Sequence, residues 1–348
     1  MATTPVRPPA TAPINLVSVG IVAFNEEGYL EHVLADLVAQ RFPHDRIEVL
    51  LVNSHSTDGT KAIMERFVRD NDLPSHGFAC VQVLSNPRRI IPCGWNEAIR
   101  HFHGDALIRV DAHARIPENF IESNVEVLAE GEYVCGGPRP TIESPSTPWT
   151  KTLLAAEESA FGSSVADYRS TSSSKEYVSA VFMPAIRREV IETIGRYDDR
   201  LERTEDNDFC YRIRGAGFRI RFDTRIQSQQ IARGTLRGML RQKYGNGYWI
   251  GRTLHVQPRC LRPYHFAPLT FVLALMVTAL IGVFTTWIPL AIIAGLYFVV
   301  CIALSIYTII RSEKHPQMLL LPVIFFCIHV TYGLGTLAGF IRGIGRGF

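Results

Sequence analysis

Asp111 and His113 stand two residues apart at the end of an apolar run, residues 106–110. On a strand, residues two apart point to the same face, so a carboxylate and an imidazole would lie side by side with Ala112 turned away. Such a pair can hold Mg2+ or Mn2+ against a diphosphate, where the ion neutralises charge building on the departing oxygens. Imidazole is softer than carboxylate and tilts the preference toward Mn2+, whereas hard Mg2+ prefers oxygen. The plainer reading is a strand-end Asp and His solvating a loop. Further along, Thr204, Glu205 and Asp206 offer a carboxylate that can take a proton from a hydroxyl. The same three residues also read as a helix start, with Thr204 as cap and the acids facing the helix dipole; the two roles are compatible.

Two sets of cations invite phosphate. Arg88 and Arg89 follow Asn86 and Pro87 in a loop, and guanidinium groups grip phosphate bidentately. Arg237, Arg241, Gln242, Lys243, Tyr244 and Trp249 form a basic-aromatic stretch just before the apolar tail. That stretch reads either as a cradle for the pyrophosphate of a lipid-linked acceptor or as a juxtamembrane helix drawn to anionic headgroups, at about 1 kcal/mol per charge. Glu157, Glu158, Phe161 and Gly162 are weaker candidates for the acceptor side.

The elements that must position these residues alternate. Strands are expected at residues 16–24, 47–52, 79–84 and 106–111, with helices at 25–40, 61–68, 95–101 and 118–129 between and after them. Strand–helix alternation implies a mostly parallel, doubly wound sheet, whose strand ends share one edge where ligands bind. Residues 133–136, 177–183 and 218–222 read as further strands, and 187–194 and 207–215 as helices. Residues 163–175, Ser-rich and polar, read as a mobile loop over the crevice.

Composition narrows the class. A formal net charge of +3 in 348 residues gives no case for nucleic acid. The seven cysteines (Cys80, Cys93, Cys135, Cys210, Cys260, Cys301, Cys327) hold no CxxC pair and are odd in number, which points to a reducing compartment rather than a disulfide framework. Residues 1–13 read as a flexible tail, not a signal peptide. Residues 268–284, 288–310 and 318–341 are nearly uncharged apolar runs, long enough for membrane helices. The charges at 252–262 and 311–314 favour two crossings by the positive-inside bias. The third run stays open between crossing, re-entering and lying in the interface. Gly335, Gly339 and Gly343 recur at four-residue spacing, as on a close-packing helix face.

Four segments in order, residues 19–27, 52–60, 109–113 and 204–206, resemble the family-two inverting GT-A glycosyltransferases, over roughly residues 15–255. Asn86-Pro87-Arg88-Arg89, Arg109-Val110-Asp111-Ala112-His113-Ala114, Arg187-Arg188-Glu189 and Arg241-Gln242-Lys243-Tyr244-Gly245 resemble the succinoglycan-biosynthesis (ExoA-type) branch more closely. The resemblance implies a GT-A (Rossmann-like) α/β catalytic domain at residues 14–232, a basic juxtamembrane segment at 233–265 and a membrane domain of two or three helices at 266–348. It implies Asp206 as the general base with Glu205 in support, and Asp111 and His113 as the metal site where relatives carry Asp-x-Asp. Donor contacts are implied for Ala23, Phe24, Glu26, Asn53, Arg88, Arg89 and Asp111, and acceptor or diphosphate contacts for Arg241, Lys243 and Trp249. Asn53 departs from the family's usual Asp, which accepts from the uracil imide.

The implied reaction moves a hexose, with UDP-glucose favoured, onto a polyprenyl-diphosphate-linked saccharide for extracellular polysaccharide. The implied place is the inner (cytoplasmic) membrane, multi-pass, with the catalytic domain in the cytoplasm and the lipid bilayer as a partner. Two rival readings remain. A nucleotidyltransferase would need an early Gly-rich phosphate loop, and residues 19–27 hold only Gly20. An inactive membrane scaffold would bind neither metal nor nucleotide sugar.

Overall fold

The central strand β1 (Val17–Ala23) is buried on both faces, because helices cover the sheet on each side. Alternation decides which face each side chain serves. In β2 (Ile47–Asn53), Val49 and Leu51 join a core with Val17, Val19 and Ile21, whereas Leu50 and Val52 join the opposite core with Trp95 and Leu107. The first core is covered by α1 (Leu30–Val38), α2 (Thr60–Asn71) and α4 (Phe120–Ala129). The second is covered by α3 (Ile91–His101), α6 (Arg188–Ile194) and α7 (Glu205–Gly215). Each fully buried Val, Leu or Ile contributes about 1.5–3 kcal/mol.

The computed structural model describes residues 5–71, 77–142, 146–159, 161–162, 176–231 and 234–344. The expected loop at 163–175 lies outside them. The chain divides into two units, Met1–Pro140 with Ala166–Gln230, and Thr141–Val165 with Ile231–Phe348.

The first unit carries an eight-stranded sheet. Besides β1 and β2 it contains β3 (Cys80–Ser85), β4 (Ala106–Asp111), β6 (Val134–Gly136), β8 (Tyr177–Val178), β9 (Ala185–Arg187) and β10 (Ile220–Phe222). The order is β3-β2-β1-β4-β9-β6-β10-β8. β1, β2, β3 and β4 are mutually parallel, as are β6 and β10, while β9 runs antiparallel to both its neighbours and β8 to β10. The short strands β5 (Ala114–Arg115) and β11 (Gln229–Ile231) pair antiparallel outside this sheet, and β7 (Thr141–Ile142) belongs to the second unit. The expected GT-A-like α/β architecture is therefore present.

Local differences have local causes. The first helix starts at Leu30 rather than residue 25, because Asn25 adopts φ +55° and turns the chain before Glu26 and Glu27. Residues 177–183 are mostly irregular, with β8 covering only Tyr177–Val178; the helix expected at 187–194 is present as Arg188–Ile194, preceded by an unexpected strand at Ala185–Arg187. Pairing with β4 and β6 decides that segment, which is tertiary information.

The second unit is helical: α5 (Pro148–Glu158), α8 (Leu236–Thr253), α9 (Ala267–Phe284), α10 (Ile288–Arg311) and α11 (Leu321–Ile344). α5 lies in sequence between strands of the first unit, yet its Leu153 and Ala156 pack with Met239, Cys301, Leu321 and Phe325. Three helical segments, Pro263–Phe284, Ile288–Arg311 and Pro316–Ile344, are long and apolar enough to cross a membrane.

Candidate active site

The parallel strands bring their carboxyl ends into one row. In register, Val22 stands beside Asp111, Ala23 beside Asn53, and Asn53 beside Ser85. The loops after β1 and β2 are laced together at this edge. Asn25 Oδ1 accepts the Thr57 N–H at 2.8 Å, Thr60 Oγ1 accepts the Glu26 N–H at 2.8 Å, and Glu27 Oε2 accepts the Gly59 N–H at 2.6 Å. Asn25 and His55, at φ +55° and +56°, supply the left-handed turns. α3 presses on β1 from behind: a Cβ on Gly94 would fall 2.5 Å from Val22 Cγ1. That close approach seats Trp95 in the core beside β4.

Arg109 organises the centre. Its guanidinium is 5% exposed, lies 4.2 Å from the Trp95 ring centroid, and donates to the Tyr197 hydroxyl at 3.1 Å. It pairs directly with Asp206 and stands 4.0 Å from Asp111 Oδ1. One buried cation thus reaches both carboxylates. Asp111 Oδ2 also accepts from Arg139 at 3.3 Å, and the Arg139 guanidinium sits 3.4 Å from the Phe182 ring centroid. Asp206 keeps 36% of its side chain exposed. Its neighbour Glu205 is buried, and desolvation, reinforced by the charge of Asp206, pushes its carboxyl well above the usual range. Glu205 Oε2 has no hydrogen-bond partner among the described residues.

His113 departs from the expected geometry. β4 ends at Asp111, so Ala112 and His113 lie in the turn before β5, and no strand pleat aligns the pair. Instead His113 Nδ1 meets Glu26 Oε1 at 3.2 Å. That hydrogen bond, aided by the charge of Asp111, raises the imidazole's pKa against the effect of burial.

The donors suit a divalent cation. The Asp111 carboxylate offers a hard oxygen that suits either Mg2+ or Mn2+, and the His113 imidazole a borderline nitrogen that suits Mn2+ better. The Glu26 carboxylate on Nδ1 leaves Nε2 as the ligating nitrogen, the usual support for a metal-bound imidazole. Among the described residues no group of three or more His, Cys, Asp or Glu side chains is placed to hold a metal. The remaining coordination positions would fall to substrate phosphate and water, as is common for Mg2+.

The model of "Glycosyl transferase family 2" matches residues 18–195, over half the chain. The chain belongs to this family. A second model, "Glycosyl transferase family group 2", matches residues 107–310. Among curated relatives, "Dolichyl N-acetyl-alpha-D-glucosaminyl phosphate 3-beta-D-2,3-diacetamido-2,3-dideoxy-beta-D-glucuronosyltransferase" of Methanococcus voltae is 23% identical, covering 95% of this chain and 98% of the relative. "Succinoglycan biosynthesis protein ExoA" of Rhizobium meliloti (strain 1021) is 24% identical, covering 90% and 92%. Among solved structures, the mannosyltransferase PcManGT from Pyrobaculum calidifontis, in complex with GDP-Man and Mn2+, shares the fold at a TM-score of 0.55 and 18% identity, covering 98% of this chain and 90% of that one. Glycosyl transfer is therefore the activity class.

The other residues singled out from the sequence are distributed as follows. Phe24 is exposed over nearly half its ring at the end of β1, and Ala23 is buried beside it. Asn53 is buried and its Oδ1 already accepts the Ser56 N–H at 3.0 Å. Arg88 and Arg89 are exposed, and Arg88 pairs with Asp199, a surface contact worth about 0–1 kcal/mol and easily exchanged for phosphate. Thr204 holds the N-cap position of α7, but its hydroxyl makes no capping bond.

Arg241, Lys243 and Trp249 all lie on α8 in the second unit. Arg241 is exposed and Trp249 half-buried. Lys243 differs from expectation: its side chain is 3% exposed and its ammonium pairs with Glu157 Oε1 at 3.4 Å. It is core, not surface, because α8 turns it inward with Met239 and Ile250.

Sequence reasoning gave no role to Arg109, Arg139, Trp95 and Tyr197. Arg109 had a signal, a lone cation in the otherwise apolar strand interior of β4. Arg139 follows Gly137, where a Cβ would fall 1.8 Å from the Ile226 carbonyl oxygen, so the glycine lets that segment close. Tyr197 had no signal, since its partner Asn96, which accepts the Tyr197 N–H at 2.8 Å, is 101 residues away.

Proposed function

We propose that the chain is a metal-dependent, inverting hexosyltransferase that uses a nucleotide diphosphate sugar, with UDP-glucose favoured. Its acceptor is a polyprenyl-diphosphate-linked saccharide destined for extracellular polysaccharide, at the cytoplasmic face of the inner membrane. The observation that carries this reading is Arg109, whose single buried guanidinium pairs with Asp206 and approaches Asp111. A donor-side carboxylate and a partly exposed base are thereby held around one group.

In this reading Asp206 takes the proton of the acceptor hydroxyl. The hydroxyl oxygen bonds to the anomeric carbon, the bond from that carbon to the diphosphate oxygen breaks, and the nucleoside diphosphate leaves with the electron pair. One displacement through an oxocarbenium-like transition state inverts configuration. Arg109 orients Asp206 without covering it. Burial and the charge of Asp206 raise the Glu205 carboxyl's pKa, which disfavours a second negative charge beside the base. Mn2+ or Mg2+, bound by Asp111 and His113, would supply the charge neutralisation that diphosphate departure needs. Phe24 offers a ring for a nucleobase, and Arg88 and Arg89 offer donors for phosphate oxygens.

The relatives' names support a lipid-linked acceptor and, for one of them, a β-linked product. One describes a β-linked transfer to a sugar on dolichyl phosphate, and the other a role in succinoglycan biosynthesis. Both matches span nearly the whole of each chain. The test is a panel of nucleotide sugars assayed for metal-dependent transfer or hydrolysis, beside UTP with a sugar-1-phosphate. Turnover with a nucleotide sugar, lost in Asp206→Asn while nucleotide binding persists, supports the reading. Product from UTP and sugar-1-phosphate alone would favour the nucleotidyltransferase, and full turnover by Asp206→Asn would reject the base assignment.

A further inference from the structure

Three segments of the second unit pass for membrane spans by length and composition, but their surroundings differ. Only 17% and 11% of the apolar windows in α9 and α10 are buried, against 39% in α11. α9 and α10 present broad exposed apolar faces, reaching from Val283 to Ile281 around α9 and from Phe298 to Val300 around α10. On α11 the exposed apolar side chains Val323, Phe326, Leu334, Ile341 and Ile344 fall on a narrower stripe at helical spacing, with Phe340 at its edge.

The face of α11 opposite that stripe is taken by α8. A Cβ on Gly335 would fall 2.3 Å from the Tyr244 carbonyl oxygen, and one on Gly339 1.9 Å from that of Tyr248. Reciprocally, a Cβ on Gly247 would fall 2.1 Å from the Tyr332 oxygen, and one on Gly251 2.2 Å from that of Thr336. Both numberings rise together, so the helices run parallel and in contact, backbone against backbone. Along α8, exposed Arg237 and Arg241 lie on the flank next to the α11 contact, as does Arg252, whose guanidinium donates to the Arg342 carbonyl oxygen at 3.4 Å, while Met239, Lys243 and Ile250 are buried on the other side. A central Arg in a crossing helix costs about 2.5–3.5 kcal/mol on insertion scales. Were α11 upright, α8 beside it would carry exposed Arg237 and Arg241 toward that depth.

The contacts with α9 and α10 give the angle. From Pro322 to Gly333 is about 16 Å of helix. Over that length α11 meets α10 at Cys301, whose Sγ lies 3.4 Å from the Pro322 carbonyl oxygen, and at Tyr297, whose hydroxyl lies 2.9 Å from His329 Nδ1. It meets α9 at Phe271, through Phe326, and at Pro268, whose oxygen a Cβ on Gly333 would approach to 2.4 Å. Each of these two pairs of contacts spans about 10.5 Å along α11, but only about 6 Å along α10 and about 5 Å along α9. α11 therefore runs across the two helices rather than alongside them.

We propose that α9 and α10 are the two membrane crossings, and that α11 lies in the plane of the bilayer surface. Its apolar stripe rests on the acyl chains, and α8 above it presents Arg237 and Arg241 to anionic lipid headgroups. No Asp or Glu occurs between residues 224 and 312 to oppose that attraction. The inference is independent of the reaction assigned above.

Topology tests it in the full chain. Thr286→Cys, Glu313→Cys and Arg342→Cys variants in sealed vesicles are treated with a membrane-impermeant maleimide, and labelled peptides are resolved by mass so that native cysteines do not interfere. Residues 313 and 342, the latter exposed and off the apolar stripe, are expected to label on the same side and residue 286 on the opposite side. Labelling of 342 with 286 overturns the proposal. Reconstitution into nanodiscs with and without phosphatidylglycerol tests the headgroup contact. Anionic lipid is expected to raise the Tm of the wild type and not that of Arg237→Gln/Arg241→Gln. A wild type indifferent to anionic lipid, or a double variant that keeps the rise, overturns that part.

Discussion

Two ion pairs bury their cation almost equally and their carboxylate very differently. Arg109 and Lys243 are 5% and 3% exposed, whereas their partners Asp206 and Glu157 are 36% and 10% exposed. Arg109 is braced by Trp95 and Tyr197 so that Asp206 can stand at the rim, within reach of an incoming hydroxyl. Lys243 and Glu157 are enclosed together among the helices of the second unit, where neither can meet a substrate without unpacking. In the proposed reaction one ion pair would serve reactivity and the other serves cohesion, and solvent access at the carboxylate separates the two.

The comparison breaks or holds on matched substitutions. Asp206→Asn should lower the kcat of folded enzyme about 10²–10⁴-fold, the usual contribution of a positioned base, with only a modest fall in Tm, because the Asn oxygen can still accept from Arg109 and Asp111 remains near it as a counter-charge. A variant that loses activity only because it unfolds would erase the distinction. Lys243→Met should act on stability instead, because it strands an enclosed carboxylate at a cost of about 3–5 kcal/mol. Adding Glu157→Leu should recover most of that loss in denaturant titrations of the full chain in detergent, and a double variant no better than the single would count against an enclosed pair. Arg109→Lys keeps the charge but not the planar fork that spans Tyr197 and Asp206. It should cost roughly 1–2 kcal/mol, about tenfold in kcat, with donor KM little changed; a purely structural role would lower the Tm and leave the kcat of folded enzyme intact.

The smallest expected effect concerns Glu205. Its carboxyl is raised in the folded protein, so the folded state binds a proton that the unfolded chain releases near the ordinary glutamate value. That contribution is fully present below the unfolded pKa and diminishes as pH rises toward the folded one. Glu205→Gln mimics the neutral acid and should change stability by less than about 1 kcal/mol near pH 5. Its Tm should also fall less than the wild type's between pH 5 and pH 8; parallel curves would mean that Glu205 ionises normally.

Much of the first unit was legible in the chain. Strands β1 to β4 announce themselves by apolar runs ending on Ala23, Asn53, Ser85 and Asp111, and a parallel sheet then gathers those ends. Less legible was anything resting on a partner far along the chain. β9 exists because β4 and β6 flank it, and its local sequence carries no strand signal of its own. His113 was placed on a strand face by counting in twos, a rule that lapses where β4 stops. Lys243 reads as a surface cation because lysine usually is one, and only the inward turn of α8 encloses it. The glycines of α11 signalled close packing, but not that α8 is the partner.

What the residues determined unaided was the alternation that builds the sheet, the apolar length of the three C-terminal segments, and the presence of carboxylates suited to metal and proton. Those follow from short-range rules, in which each side chain's polarity and each backbone preference act within a few positions. What only the folded chain decided was which carboxylate stays wet, which cation is shut in, and how α11 crosses its neighbours. Burial and direction are properties of the surroundings, and elements from distant parts of the chain supply them.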